Sequence, residues 1–133
     1  MAKILLLEPD VLLARNISTL LKNKGHNISW HRDAQSAISS IDKNIPDLII
    51  CELHLTGHSG VEFLYELRSY VEWQSIPLII FSHAPDAEPK KEQWRELNVS
   101  SYHYKPTTKL ADIARVVEQT LDTSPAKNSS SEV

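Results

Sequence analysis

Short unbroken apolar runs alternate along the chain with longer segments in which apolar residues recur every three or four positions. That alternation predicts parallel strands joined by crossover helices. Residues 4–7 (Ile-Leu-Leu-Leu) form the first run. Pro9 suits the first turn of a following helix, where its missing N–H costs nothing, and Leu13, Ile17, Leu20, Leu21 and Lys24 trace one face up to a stop at Gly25. A short strand is expected at 27–31. Asp33 can then cap a helix through residue 42 with Ala34, Ala37, Ile38 and Ile41 on one face, closed by Pro46. Residues 47–51 are continuously apolar after Asp47, the signature of a central strand covered on both faces.

Residues 52–58 read as a loop. Ser59 and Glu62 then make a Ser-x-x-Glu capping box before a helix carrying Leu64, Leu67 and Val71. A fourth strand is predicted at 77–81. Beyond a polar stretch, a helix with Pro89 near its first turn turns Trp94 and Leu97 inward and stops at Asn98. A short fifth strand at 101–104 precedes Lys105 and Pro106. The last helix shows Leu110, Ile113, Ala114, Val117 and Leu121 as an amphipathic stripe. Residues 1–122 are therefore one α/β domain, a doubly wound parallel sheet with helices on both faces. Residues 123–133, small and polar, read as a disordered tail.

Composition narrows the function classes. A chain of 133 residues fits one domain. Its net charge of −3 lacks the basic footprint of a protein that binds nucleic acid directly. The single cysteine, Cys51, cannot form an internal disulfide, which fits a reducing compartment. No run approaches a membrane span or a signal peptide, so a cytoplasmic location is expected, with no membrane partner.

Ligands of doubly wound sheets sit outside the carboxyl ends of the strands. That rule selects Glu8, Pro9 and Asp10 after the first strand, Glu52, His54 and His58 after the third, Ser82 and His83 after the fourth, and Lys105 after the fifth. Carboxylates gathered at one rim raise one another's proton affinity unless a cation intervenes, so such a rim suits a cation or a phosphoryl group. Simpler readings stand beside this one. Asp10 can cap the first helix, Lys105 can be a solvated lysine, and Ser82 can be ordinary loop chemistry. His54, His58 and His83 are either exposed loop residues or, with His103, a metal or pH-sensing group, and His103 reads more simply as a neutral buried imidazole hydrogen-bonded to a neighbour.

Several segments together resemble the receiver domain of two-component response regulators across residues 3–121. They are Lys3 through Asp10, Pro46 through Leu55 with Gly60 eight positions after Glu52, Ile76 through Ser82, and Tyr102-His103-Tyr104-Lys105-Pro106. The resemblance implies a flavodoxin-like, five-stranded sheet of order 2-1-3-4-5. It also implies an acidic pair that holds Mg²⁺, an aspartate that accepts phosphate from a histidine kinase, a hydroxyl and a lysine on the phosphoryl group, and an inward aromatic. By position, Glu8 and Pro9 take the acidic pair, Glu52 the phosphoacceptor, Ser82 the hydroxyl, Lys105 the lysine and Tyr102 the aromatic. Any Mg²⁺ would rest on Glu8, Asp10, Glu52 and the main-chain carbonyl of His54.

Two departures fall on the chemistry. Pro9 offers no side-chain oxygen to a hard cation that wants six ligands in near-octahedral geometry. Glu52 is one methylene longer than aspartate, which displaces its carboxylate by up to about 1.5 Å, and displacements near 1 Å cost in-line chemistry about a hundredfold. The expectation is an atypical, non-enzymatic receiver that signals by protein contact with a histidine kinase or downstream effector. In it Glu52 pairs with Lys105, accepts from Ser82 and imitates the phosphorylated state, or is a neutral replacement in a scaffold. A homodimer through the face of the fourth helix, fifth strand and fifth helix, where Trp94, Tyr102 and Tyr104 gather, is the expected self-contact. The alternatives are a conventional phosphoacceptor and a flavin-binding or hydrolytic domain on the same topology. The chain lacks the glycine-rich loop and nucleophile elbow of the latter.

Overall fold

The structure, a computed structural model, describes residues 1–57, 59–85 and 91–123. Five parallel strands, β1 (Lys3–Leu7), β2 (Asn27–His31), β3 (Leu48–Cys51), β4 (Leu78–Ser82) and β5 (Ser101–Tyr104), form one sheet of order β2-β1-β3-β4-β5. The helices are α1 (Val11–Asn23), α2 (Ala34–Lys43), α3 (Gly60–Ser69), α4 (Lys91–Glu96) and α5 (Leu110–Thr123), with 3-10 turns at Val71–Trp73 and Lys105–Thr107. Alternation within the central strands builds two cores. Leu5, Leu7, Ile49, Cys51, Leu78 and Ile80 pack with α2, α3 and α4, whereas Ile4, Leu6, Leu48, Ile50, Ile79 and Phe81 pack with α1 and α5.

The predicted elements form, with local corrections. Pro9 lies before α1 rather than in its first turn, because Asp10 is the N-cap and its carboxylate accepts from the Leu13 N–H. Ser59 caps α3 by accepting from the Glu62 N–H. Val71, expected on the buried face of that helix, is 79% exposed and lies in the 3-10 turn. The turn instead buries Trp73. Asn98 ends the α4 region at φ 54°, a left-handed geometry asparagine tolerates. Helix α5 runs through Thr123, one residue into the segment read as a tail. Residues 124–133, Pro89 and His58 lie outside the described residues. None of the described helices is long and apolar enough to cross a membrane.

Register positions the site. Leu7 pairs with Cys51, and Ser82 pairs with Tyr104, so Glu8, Glu52, Ser82 and Lys105 emerge at one end of the sheet. Two loops at this end and one at the other are held by specific contacts. Gly60 packs so closely beneath β3 that a Cβ there would stand 2.5 Å from Leu53 Cα and 2.9 Å from the Glu52 carbonyl oxygen. The Arg68 guanidinium donates to the carbonyls of Leu97, Trp73, Ile76 and Asn98, tying the segments before β4 and β5 together. On the far edge, the Trp30 indole N–H donates to the Glu8 carbonyl at 2.8 Å and Arg32 Nε donates to the Pro9 carbonyl at 3.2 Å.

Gly60→Ala forces backbone rather than a flexible side chain to move. A loss of about 1–3 kcal/mol of stability is expected, read as a lower urea midpoint with an unchanged denaturant slope. An unchanged midpoint would contradict the close approach.

Candidate functional site

At the centre of the rim, Lys105 Nζ donates to Glu8 Oε1 at 2.6 Å and to Glu52 Oε1 at 2.7 Å. Both carboxylates are 2% exposed and the lysine side chain 6%, so three charges sit together almost out of reach of water. Burying ions is costly unless their polar atoms find partners, and among the described residues no buried side-chain nitrogen or oxygen lacks one. Glu52 Oε2 accepts from the Ser82 hydroxyl and from the His54 N–H (3.0 Å), and Glu52 Oε1 also accepts from the His83 N–H (3.2 Å). Glu8 Oε2 accepts from the Asp10 N–H at 3.0 Å. The ammonium lies 5.7 Å from the centre of the Phe81 ring.

The two carboxyls differ in proton affinity although they share one lysine. Burial pushes Glu8 up, and the hydrogen bonds from Lys105 and the Asp10 N–H offset this only in part. Burial pushes Glu52 up as well, but donation from Lys105, Ser82 and the His54 N–H outweighs it and holds the carboxyl down at about 2. Glu52 is thus a firmly ionised buried anion, and Glu8 is the member of the pair that takes up a proton first.

A second chain of contacts leaves the site. Ser82 Oγ, while donating to Glu52, accepts from the Ala84 N–H at 3.0 Å, and the Ala84 carbonyl accepts from the Tyr102 hydroxyl. The Tyr102 ring packs against Trp94 with centroids 5.7 Å apart. Trp94 is a core residue, while Tyr102 and Tyr104 are half-buried on β5.

The rim therefore brings together Glu8, Glu52, Ser82, Lys105 and, through its main chain, His54. Asp10 contributes its N–H, while its Oδ1 caps α1. The His54 side chain is exposed. His83 is largely exposed, with Nδ1 3.4 Å from Glu52 Oε1. His103 is half-buried, its Nε2 2.9 Å from Ser101 Oγ, and burial lowers its proton affinity while Asp112 acts the other way. Among the described residues no group of three or more His, Cys, Asp or Glu side chains converges to hold a metal ion.

With Lys105 between the carboxylates, the donor set does not suit a hard divalent cation. The facing oxygens of both carboxylates are turned to one ammonium, position 9 supplies no side-chain oxygen, and Asp10 Oδ1 is engaged in the α1 cap. Sequence reasoning did not anticipate Lys105 bonding Glu8, the main-chain donors of His54 and His83, or the Trp30 and Arg32 clasps. Main-chain donors carry no residue-type signal, and the clasps depend on strand register.

The model of the response regulator receiver domain family matches residues 4–118. The chain is 29% identical over 116 residues to the sensory transduction protein RegX3 of Mycolicibacterium smegmatis, covering 87% of this chain and 49% of the relative. It is 31% identical over 90 residues to the two-component response regulator PhoP of Pseudomonas aeruginosa, covering 68% and 39%. The chain thus spans half or less of the length of these relatives. In structure it resembles the BeF3-activated N-terminal receiver domain of Klebsiella pneumoniae RstA (TM-score 0.77, 24% identity, 90% of this chain and 97% of that one). It also resembles the Vibrio cholerae chemotaxis protein CheY4 (TM-score 0.82, 18% identity, 90% and 98%).

The unequal carboxyls have opposite linkage signs. Glu52 contributes stability that is present above its ordinary value of 4.5 and is lost as pH falls through about 2. Glu8 contributes stability that is present below 4.5 and is lost as pH rises through its raised value. Side-chain carboxyl ¹³C titration, assigned with Glu8→Gln and Glu52→Gln, is expected to place Glu8 above 4.5 and Glu52 far below it. Two coincident titrations near 4.5 would contradict the geometry.

Proposed function

Because the chain belongs to the response regulator receiver domain family, we propose that it takes part in two-component signalling without being phosphorylated, with the Glu52 carboxylate holding the place a phosphorylated side chain would otherwise fill. The observation that carries this reading is the complete set of donors around Glu52. Lys105, Ser82 and the N–H groups of His54 and His83 already answer a buried negative charge at the end of β3. The imitation is partial, since a carboxylate brings one charge and a phosphate about 1.5 to 2 with three acceptor oxygens. The contact from Ser82 through Ala84 to Tyr102 supports a rim kept in one arrangement by that charge.

Phosphoryl transfer depends on positioning and on neutralising charge at the transferred group. Glu52 is misplaced by its extra methylene for the first, and Pro9 removes an oxygen needed for a metal that would supply the second. The role is therefore recognition, not turnover. The partners are signalling proteins, a histidine kinase or a downstream effector, rather than nucleic acid or membrane. The face of α4, β5 and α5 is the surface we assign to partner contact or to a homodimer, because Tyr102, tied to the loop after β4, lies on it.

Incubated with a small phosphodonor and Mg²⁺, the protein should show no gain of a phosphoryl group by intact mass and no change in tryptophan fluorescence. Glu52→Asp alone should remain inert, and uptake should return only when Pro9→Asp is added. Rapid modification of the unaltered chain would refute the reading. Full activity of the single variant would show that Pro9 is not limiting.

A further inference from the structure

The place between Glu8 and Glu52 is not empty of positive charge, and its contents differ from what the family's chemistry calls for. We propose that the Lys105 ammonium is a tethered substitute for a divalent cation, so that this rim is complete without metal. The inference rests on reading the rim as a site that works unmodified, and it concerns a different property of that site.

Three observations carry it. Nζ bridges one oxygen of each carboxylate, at 2.6 and 2.7 Å, the relation a small cation would have to both. The oxygens of the pair that do not face Nζ are engaged by the Asp10 and His54 N–H groups and the Ser82 hydroxyl, so neither carboxylate is free to turn toward a second ion. The lysine is held from both ends. Its backbone starts the 3-10 turn Lys105–Thr107, and its ammonium lies near the Phe81 ring.

The chemistry favours the ammonium over a metal at this donor set. Mg²⁺ dehydrates reluctantly and demands near-octahedral oxygen ligands, whereas an ammonium needs only acceptors for its three protons. With Nζ in contact with both carboxylates, a metal would have to displace the ammonium and complete its shell with water, and a cation fixed to the chain needs no free concentration to stay bound. Charge agrees. An acid at position 9 would give the rim three carboxylates against one lysine, an excess that calls for a divalent ion. With Pro9 there are two, and Lys105 reaches both.

The test uses the intact chain and Mg²⁺ or Mn²⁺ as probes. Its Tm in EDTA and in millimolar Mg²⁺ or Mn²⁺ should agree within about 1 °C, whereas an ion bound at roughly a hundred times its Kd raises Tm by several degrees. Lys105→Ala should melt several degrees lower in EDTA and recover in Mn²⁺. Adding Glu8→Gln to that variant should abolish the response. Lys105→Met, which keeps the packing of the stem, carries the same comparison if the alanine variant does not fold.

A metal-dependent Tm in the intact chain overturns the proposal, as does a folded Lys105 variant indifferent to Mn²⁺. Phosphate uptake by a chain whose Tm ignores metal would instead overturn the phosphorylation-independent reading and leave this inference standing.

Discussion

A single ammonium wedged between two carboxylates that water barely reaches sets the electrostatics of the whole rim. Removing three charged groups from water costs several kcal/mol for each ion, and their mutual attraction compensates only when the remaining hydrogen-bonding capacity is met. That condition explains why so many groups converge here. The N–H groups of Asp10, His54 and His83 and the hydroxyl of Ser82 all point at carboxylate oxygens. It also explains the asymmetry of the pair. Glu52 collects most of the donors and stays ionised, and Glu8, with fewer, holds its proton more tightly than a free carboxylate.

The rest of the fold maintains that geometry. Parallel register brings the ends of β1, β3, β4 and β5 to one level. Gly60 lets α3 start against the backbone just beyond Glu52. The donors are therefore fixed by main chain more than by side-chain choice. From the same point the contacts run outward through Ser82 and Ala84 to Tyr102 and Trp94, so the anion's position and the packing of β5 against α4 are one connected arrangement. On the proposed reading, the surface a partner meets is set by this connection.

The fold was legible because buried parallel strands are continuous apolar runs and their helices carry a clear 3.6-residue stripe, as at Ile49 and Ile50 or Val117 and Leu121. Capping was legible where side chains do it, at Asp33 and Ser59. Where Pro9 and Val71 were misplaced, a local signal competed with a stronger one. Asp10 caps α1 and so pushes proline outside it, and Trp73 takes the inward position near the end of α3. At the site, the carboxylates, the hydroxyl and the lysine could be chosen from the switch-point rule. The sharing of Lys105 could not, because it depends on distances across 97 residues of sequence between Glu8 and Lys105. Nor could the main-chain donors, which any residue supplies.

The two departures at positions 9 and 52 become one change when charge and reach are considered together. A proline at position 9 leaves the rim with two carboxylates, both within reach of the one lysine. Lengthening the side chain at position 52 extends an anion into the space beyond β3, where it meets the lysine, the serine and two main-chain N–H groups at once. Either change alone leaves a fault. An acid at position 9 beside Glu52 would crowd a third buried anion against a single ammonium, and an aspartate at 52 beside Pro9 would stop short of donors arranged around a more distant carboxylate. Together they give a rim whose charges are answered from within the chain. On the proposed reading, such a rim has little to gain from a metal or a phosphoryl group, because its carboxylates are already engaged by Lys105, Ser82 and main-chain N–H groups.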